Sequence, residues 1–349
     1  MNPSHLNLRY SAGFSLVEMM LAMLIGLIIM AGVMQIFVST SDTQRSSEDQ
    51  LALLGDARFA VETIAYDLRH TGLWGGNNMY QSIACQKEGT PNVAPCPAGN
   101  TMPTATSDCA VSEYINFERP LYAIDNDNPY SATCATENYK LGTDVLSLRY
   151  ADTNKIGGNV LASGVAYIRS NIQSGMVFVG PNIPAVNLYK WTDDNASSNH
   201  LLISRVYYVS DYTDVSGDGL PSLRRGDLTA GPLMKSEVLL PGVEDFQLEF
   251  GVDLGTNGVA GSPKDGQVDS YVKASSVTDW KYGQVMSVRI WLLMRSERED
   301  RDKIGGDQTF TIAGADPVTF SDGYRRHLIT SIVKLRNTHQ EDLQAAGSN

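Results

Sequence analysis

Motifs for catalysis are missing from this sequence of 349 residues. It has no HExxH, no GxSxG and no GxxxxGK(S/T) segment, the arrangements that hold a catalytic zinc ion, a serine nucleophile and a nucleotide phosphate. Its five histidines are scattered along the chain. Asp67 and Glu62 stand beside Arg58 and Arg69 on a predicted helix, where ion pairs one turn apart are expected rather than catalysis. We therefore expect a protein that is not an enzyme and needs no cofactor.

Basic residues are outnumbered in the chain. There are 27 Lys and Arg against 39 Asp and Glu, which gives a net charge of −12. Proteins that bind nucleic acid use Lys and Arg to neutralise phosphate groups, so the composition argues against a general nucleic-acid surface. Two arginine pairs, Arg224-Arg225 and Arg325-Arg326, are too short to be basic runs. We interpret each pair as part of a solvated face.

Charge is also missing from one long apolar segment, Met19 to Phe37. As a helix, residues 14–38 would extend about 38 Å at ~1.5 Å per residue, which is enough to cross a membrane once. Arg9 precedes the segment, whereas the charged residues that follow it are mainly acidic. This asymmetry predicts a cytoplasmic N-terminus and an exported remainder of the chain.

Glu18 is the one charged residue at the start of this segment. A charged side chain at the centre of a membrane helix costs roughly 2.5 kcal/mol or more, so this carboxylate needs a partner of opposite charge. The residues up to Gly13 contain no apolar core, unlike a secretory signal peptide. Cleavage between Gly13 and Phe14 would therefore leave the helix on the mature protein. It would also create an α-amino group on Phe14 that can pair with Glu18 of a neighbouring subunit.

The segment Gly13-Phe14-Ser15-Leu16-Val17-Glu18-Met19-Met20 resembles the class III signal of type IV prepilins and pseudopilins. The resemblance implies that residues 1–13 are a leader that a prepilin peptidase removes. It also implies N-methylation of Phe14 and a role for Glu18 in assembly. The alternative is an ordinary signal anchor, which leaves the small residue at the junction and the position of the carboxylate unexplained.

The sequence divides into three further regions after the membrane segment. Residues 39–72 carry an apolar stripe, with Leu54, Val61 and Leu68 seven apart, which predicts an amphipathic helix. Residues 73–140 are rich in Pro, Gly, Asn, Ser and Thr, and we interpret them as an irregular region. Residues 141–349 are predicted to form a β-rich domain, with strands at Val145–Tyr150, Leu201–Ser210, Val243–Val252, Val285–Arg295 and Leu328–Leu335.

Alternation within the predicted strands indicates a sheet with one buried face. Phe246, Leu248 and Phe250 alternate with polar residues, as in a half-buried strand. A helix followed by strands predicts an α+β fold, in which the amphipathic half of a long N-terminal helix packs on a C-terminal antiparallel β-sheet. This is also the pilin architecture that the resemblance implies.

All four cysteines, Cys85, Cys96, Cys109 and Cys134, lie in the irregular region. An even number of cysteines in an exported segment predicts disulfides. Three pairings are open, of which Cys85–Cys96 with Cys109–Cys134 would close the shortest loops. Zinc binding is the alternative, although the segment has no CxxC and no histidine.

Motifs further along the chain indicate which family of pilin-like proteins the sequence resembles. Asp67-Leu68-Arg69 with Gly72, the segment Val288–Arg295 and the segment Tyr324–Leu328 resemble the PilW minor pilins of type IV pilus systems. They are similar, more distantly, to the J-type minor pseudopilins of type II secretion. The PilW resemblance implies a minor pilin that takes part in pilus biogenesis, primes assembly and sits at or near the tip with other minor pilins.

The same resemblance implies partners and a location. The partners would be other minor pilins, the major pilin, the prepilin peptidase and the inner-membrane assembly machinery. The protein would lie in the inner membrane with a periplasmic domain before assembly, and in the pilus at the cell surface afterwards. A minor pseudopilin of a type II secretion system and a tip adhesin or ligand-binding module are the alternatives.

One loop matches the opening of a calcium loop. Asp214, Ser216 and Asp218 place oxygen side chains at alternate positions before Gly219, as calcium loops do. The twelfth position, where a bidentate glutamate belongs, is Arg225 instead. An Asp/Gly-rich turn, in which side chains bond the local backbone, is the favoured interpretation, and calcium binding is the alternative.

Overall fold

The computed structural model describes most of the chain in two units. Backbone contacts divide the chain into Met1–Ala52 and Leu53–Asn349. The described residues are 13, 15–76, 78, 80, 83–86, 93–95, 119–128, 138–157, 160–172, 174–181, 183, 197–230, 233–255, 258, 265–277, 280, 284–300 and 306–337.

One long helix, α1 (Leu16–His70), begins the described structure. Its sequence contains no proline and is rich in Leu, Met and Ala, which are strong helix formers. Arg69 and His70 lie in its last turn, where positive charge complements the helix dipole. Gly72 follows with a φ of 79°, the left-handed conformation that glycine adopts readily and that ends many helices. The predicted long N-terminal helix is therefore confirmed.

Fifteen strands follow α1 within the described residues. They are β1 (Ile83–Gln86), β2 (Val93–Pro95), β3 (Leu121–Ile124), β4 (Val145–Ala151), β5 (Ala166–Ser170), β6 (Gly175–Val179), β7 (Ser198–Ser210), β8 (Ser222–Thr229), β9 (Leu233–Pro241), β10 (Val243–Val252), β11 (Ser270–Lys273), β12 (Val285–Glu299), β13 (Gln308–Phe310), β14 (Val318–Phe320) and β15 (Tyr324–Lys334).

The strands form two large sheets and a small hairpin. The first sheet has the order β2-β1-β6-β5-β7-β4-β3, with β8 paired to β7 and β9 paired to β8. The second sheet has the order β11-β10-β12-β15, and β13 pairs with β14. All these pairs are antiparallel except β1 with β6, which is parallel. The predicted α+β class with antiparallel sheets is confirmed, and one parallel pair is added to it.

The predicted irregular region contains regular structure. β1, β2 and β3 lie within residues 73–140, and every residue of β3 is buried. The interpretation of this region as irregular was therefore wrong for these segments. Runs of three or four residues are too short to show the alternation that identifies a strand in a sequence.

The main core lies between α1 and the sheets of the second unit. Ala57, Ile64 and Leu68 of α1 are fully buried and belong to one cluster with Phe246 and Phe250 of β10. A small residue such as Ala57 lets the helix approach the sheet closely. Each fully buried side chain of the size of Ile or Leu contributes about 1.5–3 kcal/mol. The buried face of α1 that these residues form holds the C-terminal part of the helix against the strands.

Both arginine pairs differ from the prediction of a solvated face. Arg224 and Arg326 are only 6% and 9% exposed. The Arg326 guanidinium donates to Glu244 and Asp322, with an Nη1–Oδ1 distance of 2.6 Å to Asp322. Arg224 Nη2 donates to the carbonyl oxygen of Thr213 at 2.8 Å. One arginine of each pair, Arg224 or Arg326, is therefore buried. Its burial is tolerated because oxygen atoms of other segments accept its hydrogen bonds.

Candidate functional site: assembly segment and helix–sheet junction

The N-terminal segment carries the residues that the sequence singles out for processing and assembly. Gly13 and Ser15 are exposed, and α1 begins one residue after Ser15. Glu18 is exposed and lies in the first turn of α1, where its negative charge complements the helix dipole. Phe14 and the preceding residues 1–12 lie outside the described residues. Cleavage, methylation and the role of Glu18 therefore stay predictions.

The first part of α1 exposes apolar side chains on all sides. A soluble helix buries such a surface, so this segment requires lipid or other helices around it. Among the described residues, α1 is the helix that is long and apolar enough to cross a membrane, and it lies near the N-terminus. The exposed residues are Leu16, Val17, Met19, Met20, Leu21, Met23, Leu24, Ile25, Leu27, Ile28, Ile29, Met30, Val33, Met34, Ile36, Phe37 and Val38.

At the other end of α1, a buried carboxylate connects the helix to the first sheet. Asp67 is fully buried. Its Oδ2 accepts a hydrogen bond from Tyr207 Oη at 2.5 Å, and its Oδ1 accepts bonds from Tyr150 Oη at 2.8 Å and Arg205 Nη1 at 2.7 Å. β4 and β7 are adjacent strands, which brings the three donors together. A buried charge needs such partners, because desolvation would otherwise be costly.

The network continues from Arg205 into β8. Arg205 Nε donates to Asp227 Oδ1 at 2.7 Å, and Arg225 Nε donates to Asp227 Oδ2 at 2.7 Å. Burial raises the pKa of the Tyr207 hydroxyl well above its usual range, and the charge of Asp67 raises it further. Tyr207 therefore remains a donor at physiological pH. The junction is thus a chain of alternating carboxylates and guanidinium groups.

The prediction of an ion pair within the helix was wrong for Asp67. Its partner was predicted on the same helix, at Arg58 or Arg69, whereas in the structure Arg205 of β7 pairs with it. The signal that could have indicated this is the position of Asp67 between Ile64 and Leu68 on the apolar stripe. A carboxylate on that face is turned toward the sheet, away from the solvated helix surface.

Beside this network, a surface groove follows α1. Its volume is about 370 Å³, and Phe59, Glu62, Thr63, Tyr66, Asp67 and Arg205 line it. Phe59 and Tyr66 are 52% and 48% exposed, which is high for aromatic side chains on a folded domain. This groove was not predicted from the sequence, because one wall comes from the helix and its floor includes a residue of β7.

The loop considered for calcium has the geometry of a turn. The Asp218 carboxylate accepts backbone N–H bonds from Thr213, Asp214 and Leu220, at 2.9 Å for the last two. The bond from Leu220 is the main cause that lowers the pKa of Asp218. Asp214 and Ser216 are exposed. Among the described residues, no group of three or more His, Cys, Asp or Glu is placed to hold a metal ion. The bonds that Asp218 accepts from the local backbone are those of the turn interpretation, and calcium binding stays an untested prediction.

The cysteine predictions fall almost entirely outside the described residues. The backbone of Cys85 belongs to β1, opposite Ala94 of β2 and Val177 of β6. Its side chain, and the whole of Cys96, Cys109 and Cys134, are not among the described parts. The disulfides and their pairing therefore stay predictions.

Two family models match the chain. The model of the type IV pilus-assembly protein W matches residues 206–337, which contain β8 to β15 and therefore the whole second sheet. The model of the prokaryotic N-terminal methylation motif matches residues 8–34, which include Gly13, Phe14 and Glu18. Neither the search of curated proteins nor the search of solved structures gave a match.

An apolar N-terminal helix that carries a methylation motif and packs on antiparallel sheets defines a membrane-anchored, pilin-like protein. Proteins of this class interact with other pilus components. The match to the type IV pilus-assembly protein W supports a role as a minor pilin of the type IV pilus, of the PilW kind. The matches do not favour the alternative of a type II secretion pseudopilin.

Proposed function

We propose that this chain is a minor pilin that is made as a prepilin and takes part in priming the type IV pilus. A prepilin peptidase cleaves it between Gly13 and Phe14, and Phe14 is then N-methylated. Before assembly it lies in the inner membrane with its β-rich domain in the periplasm. It acts by assembly and not by catalysis.

The observation that carries the proposal is the combination of Glu18 with the apolar surface of α1. Residues 19–37 contain no charged side chain, so Glu18 is the only acidic group that enters the apolar environment with them. A carboxylate there is stable when it faces a cation. The α-amino group of Phe14 on a neighbouring mature subunit supplies that cation at the same depth. The apolar side chains then pack against the helices of neighbouring subunits.

The position in the pilus follows from the nature of the chain as a minor pilin. We expect it at or near the tip, in contact with other minor pilins and with the major pilin below them. The inner-membrane assembly machinery would bring these subunits together. The second unit, Leu53–Asn349, is the part that would be exposed there. Its PilW domain, residues 206–337, supports this role over that of a plain membrane anchor.

Intact mass of the full-length protein from native membranes tests the processing step. We expect loss of Met1 to Gly13 and addition of one methyl group on Phe14. The Glu18→Ala variant should be processed in the same way but be absent from sheared pili, because its helix has no charge for the neighbouring amine. Asp42→Ala is the matched control, since Asp42 is an exposed acidic residue further along α1.

Two outcomes would contradict the proposal. A chain that keeps Met1–Gly13 in piliated cells would be a plain membrane-anchored protein. A Glu18→Ala variant that enters pili at the wild-type level would show that the carboxylate has no role in assembly. Asp42→Ala should match the wild type in both measurements.

A further inference from the structure

The groove on α1 has a shape and composition that suit one kind of partner. Phe59 and Tyr66 lie two helical turns apart and are half exposed. Glu62 lies between them in sequence, on the same exposed side of the helix. The floor is formed by the ion pair of Asp67 and Arg205. The groove therefore presents two aromatic rings and one exposed carboxylate over a rigid polar base.

The charges of the residues that line the groove do not cancel, because Glu62 and Asp67 are acidic and Arg205 alone is basic. Arg205 pairs with both Asp67 and Asp227, and Arg225 pairs with Asp227. Two guanidinium groups thus serve two carboxylates and leave none for Glu62. Within the described part of the chain, no ion pair to Glu62 is found at all, although Arg58 stands one turn before it on the helix. Glu62 gives the groove a net negative charge.

We propose that this groove binds a basic side chain, lysine or arginine, of a neighbouring pilus subunit. The faces of aromatic rings attract cations, and the long apolar stem of such a side chain can lie along Phe59 while its head reaches Glu62. An apolar side chain would instead bury Glu62 without a partner, which is unfavourable. An acidic side chain would be repelled.

The occupant belongs to a different subunit and not to a second copy of this chain. The net charge of −12 opposes close contact between two copies. This identification rests on the proposed function, because a minor pilin is surrounded by other pilins once assembled. The groove is then a specific contact of the second unit, separate from the apolar helix contacts of the first.

Photo-crosslinking of the full-length protein in piliated cells tests this proposal. A photoreactive phenylalanine at position 66 should give an adduct with another pilin. The same group at Val318 is the control, because Val318 is 48% exposed, as Tyr66 is. In the Tyr66-labelled protein, Glu62→Arg should reduce the adduct by about fivefold or more, because like charges now meet at the contact. Asp56→Arg, at another exposed acidic position of α1, should leave it unchanged.

Mass spectrometry of the adduct identifies the partner peptide. Replacing its basic residue by glutamate should restore the adduct in the Glu62→Arg protein. An adduct that Glu62→Arg does not weaken, an adduct only with a second copy, or no adduct would overturn the groove proposal. Processing and presence in sheared pili are measured on the same cells. A chain that is processed and assembled but gives no adduct refutes the groove alone, whereas an unprocessed chain refutes the proposed function.

Discussion

Asp67 lies on the apolar face of α1, where a carboxylate would be unfavourable without partners. Tyr150, Arg205 and Tyr207 supply three hydrogen bonds from two adjacent strands. The side chain is therefore the point at which the rotation and the height of the helix over the sheet are defined by directional bonds. Apolar packing alone would define them less sharply.

Replacing Asp67 by alanine should destabilise the protein strongly. The change leaves the two tyrosine hydroxyls without their acceptor and leaves Arg205 with Asp227 as its remaining carboxylate, and breaking a buried ion pair in this way costs about 3–5 kcal/mol. Tyr150→Phe removes one hydroxyl, which donates to Asp67 and accepts a longer bond of 3.2 Å from Arg205 Nη1, and should cost only about 1–2 kcal/mol. Urea unfolding of the full-length protein in detergent measures both. Equal small losses would mean that the network does not hold the helix.

Asp144 is a second buried carboxylate with a different environment. It is 1% exposed, and its oxygens accept the backbone N–H groups of Asn126 at 3.0 Å and Leu248 at 2.7 Å. Burial is the main cause that raises its pKa to about 7, with the charges of Asp125 and Asp245 adding to the effect. Asp144 therefore keeps its proton to a higher pH in the folded protein than in the unfolded chain.

This raised pKa predicts that stability falls as pH rises. The contribution of protonated Asp144 is complete below the unfolded pKa of about 4. It declines between about pH 4 and pH 7 and is lost above that, by an amount on the order of 4 kcal/mol, because each unit of difference between the folded and unfolded pKa is worth about 1.4 kcal/mol. Asp144→Asn should flatten this part of the profile, since asparagine does not ionise. Unfolding free energies at pH 5 and pH 8 check the prediction, and parallel profiles of the two proteins would contradict it.

At the level of elements, α1 shows which structural features the spacing of apolar residues can predict and which it cannot. The stripe predicted from Val61 and Leu68 is buried, and Leu54 at its edge is only partly so. The spacing of apolar residues identified the buried face because any amphipathic helix must turn that face to the core. It did not identify which strands would be covered, since this depends on the order β4-β7-β8 in the sheet.

Shortening a buried side chain of α1 should therefore cost more than shortening an exposed one. Ile64→Ala removes a fully buried side chain and should destabilise the protein by about 2–5 kcal/mol. Phe59→Ala removes a larger side chain that is half exposed, and should cost below about 1 kcal/mol. Urea unfolding compares them directly. A larger loss for Phe59→Ala would place this ring in the core and argue against an open groove.

Strands with clear alternation were predicted, and strands without it were missed. The predicted segment Val243–Val252 coincides with β10, where Phe246, Leu248 and Phe250 all face the core. β8 was missed because its sequence contains two arginines and Asp227, which look like a polar turn. These charged residues are tolerated in a strand because β7 supplies Arg205 as a partner across the ladder.

For the whole molecule, the division into two units predicts that the second folds without the first. The main core contains only residues from Leu53 onward, so the apolar part of α1 contributes nothing to it among the described residues. A chain that starts at Leu53 should be soluble and unfold in one cooperative transition. Circular dichroism during urea titration measures this. A fragment without a cooperative transition would show that the first unit is needed for folding.

The sequence alone determined those features that depend only on residues close together in the chain. The uncharged apolar run, Glu18 at its start and the junction at Gly13 are readable directly, because a membrane helix and its signal depend on neighbouring residues only. The α+β class followed from the change of period between helix and strands.

The tertiary structure alone decided how the charges are used. Asp67 pairs with Arg205, 138 residues later in the chain, and Arg224 and Arg326 are buried where solvated arginines were expected. Such contacts join segments that are adjacent only after the sheet has formed, and a single sequence contains no local pattern for them. The groove exists for the same reason, since its wall and its floor come from α1 and β7, two elements that meet only in the folded domain.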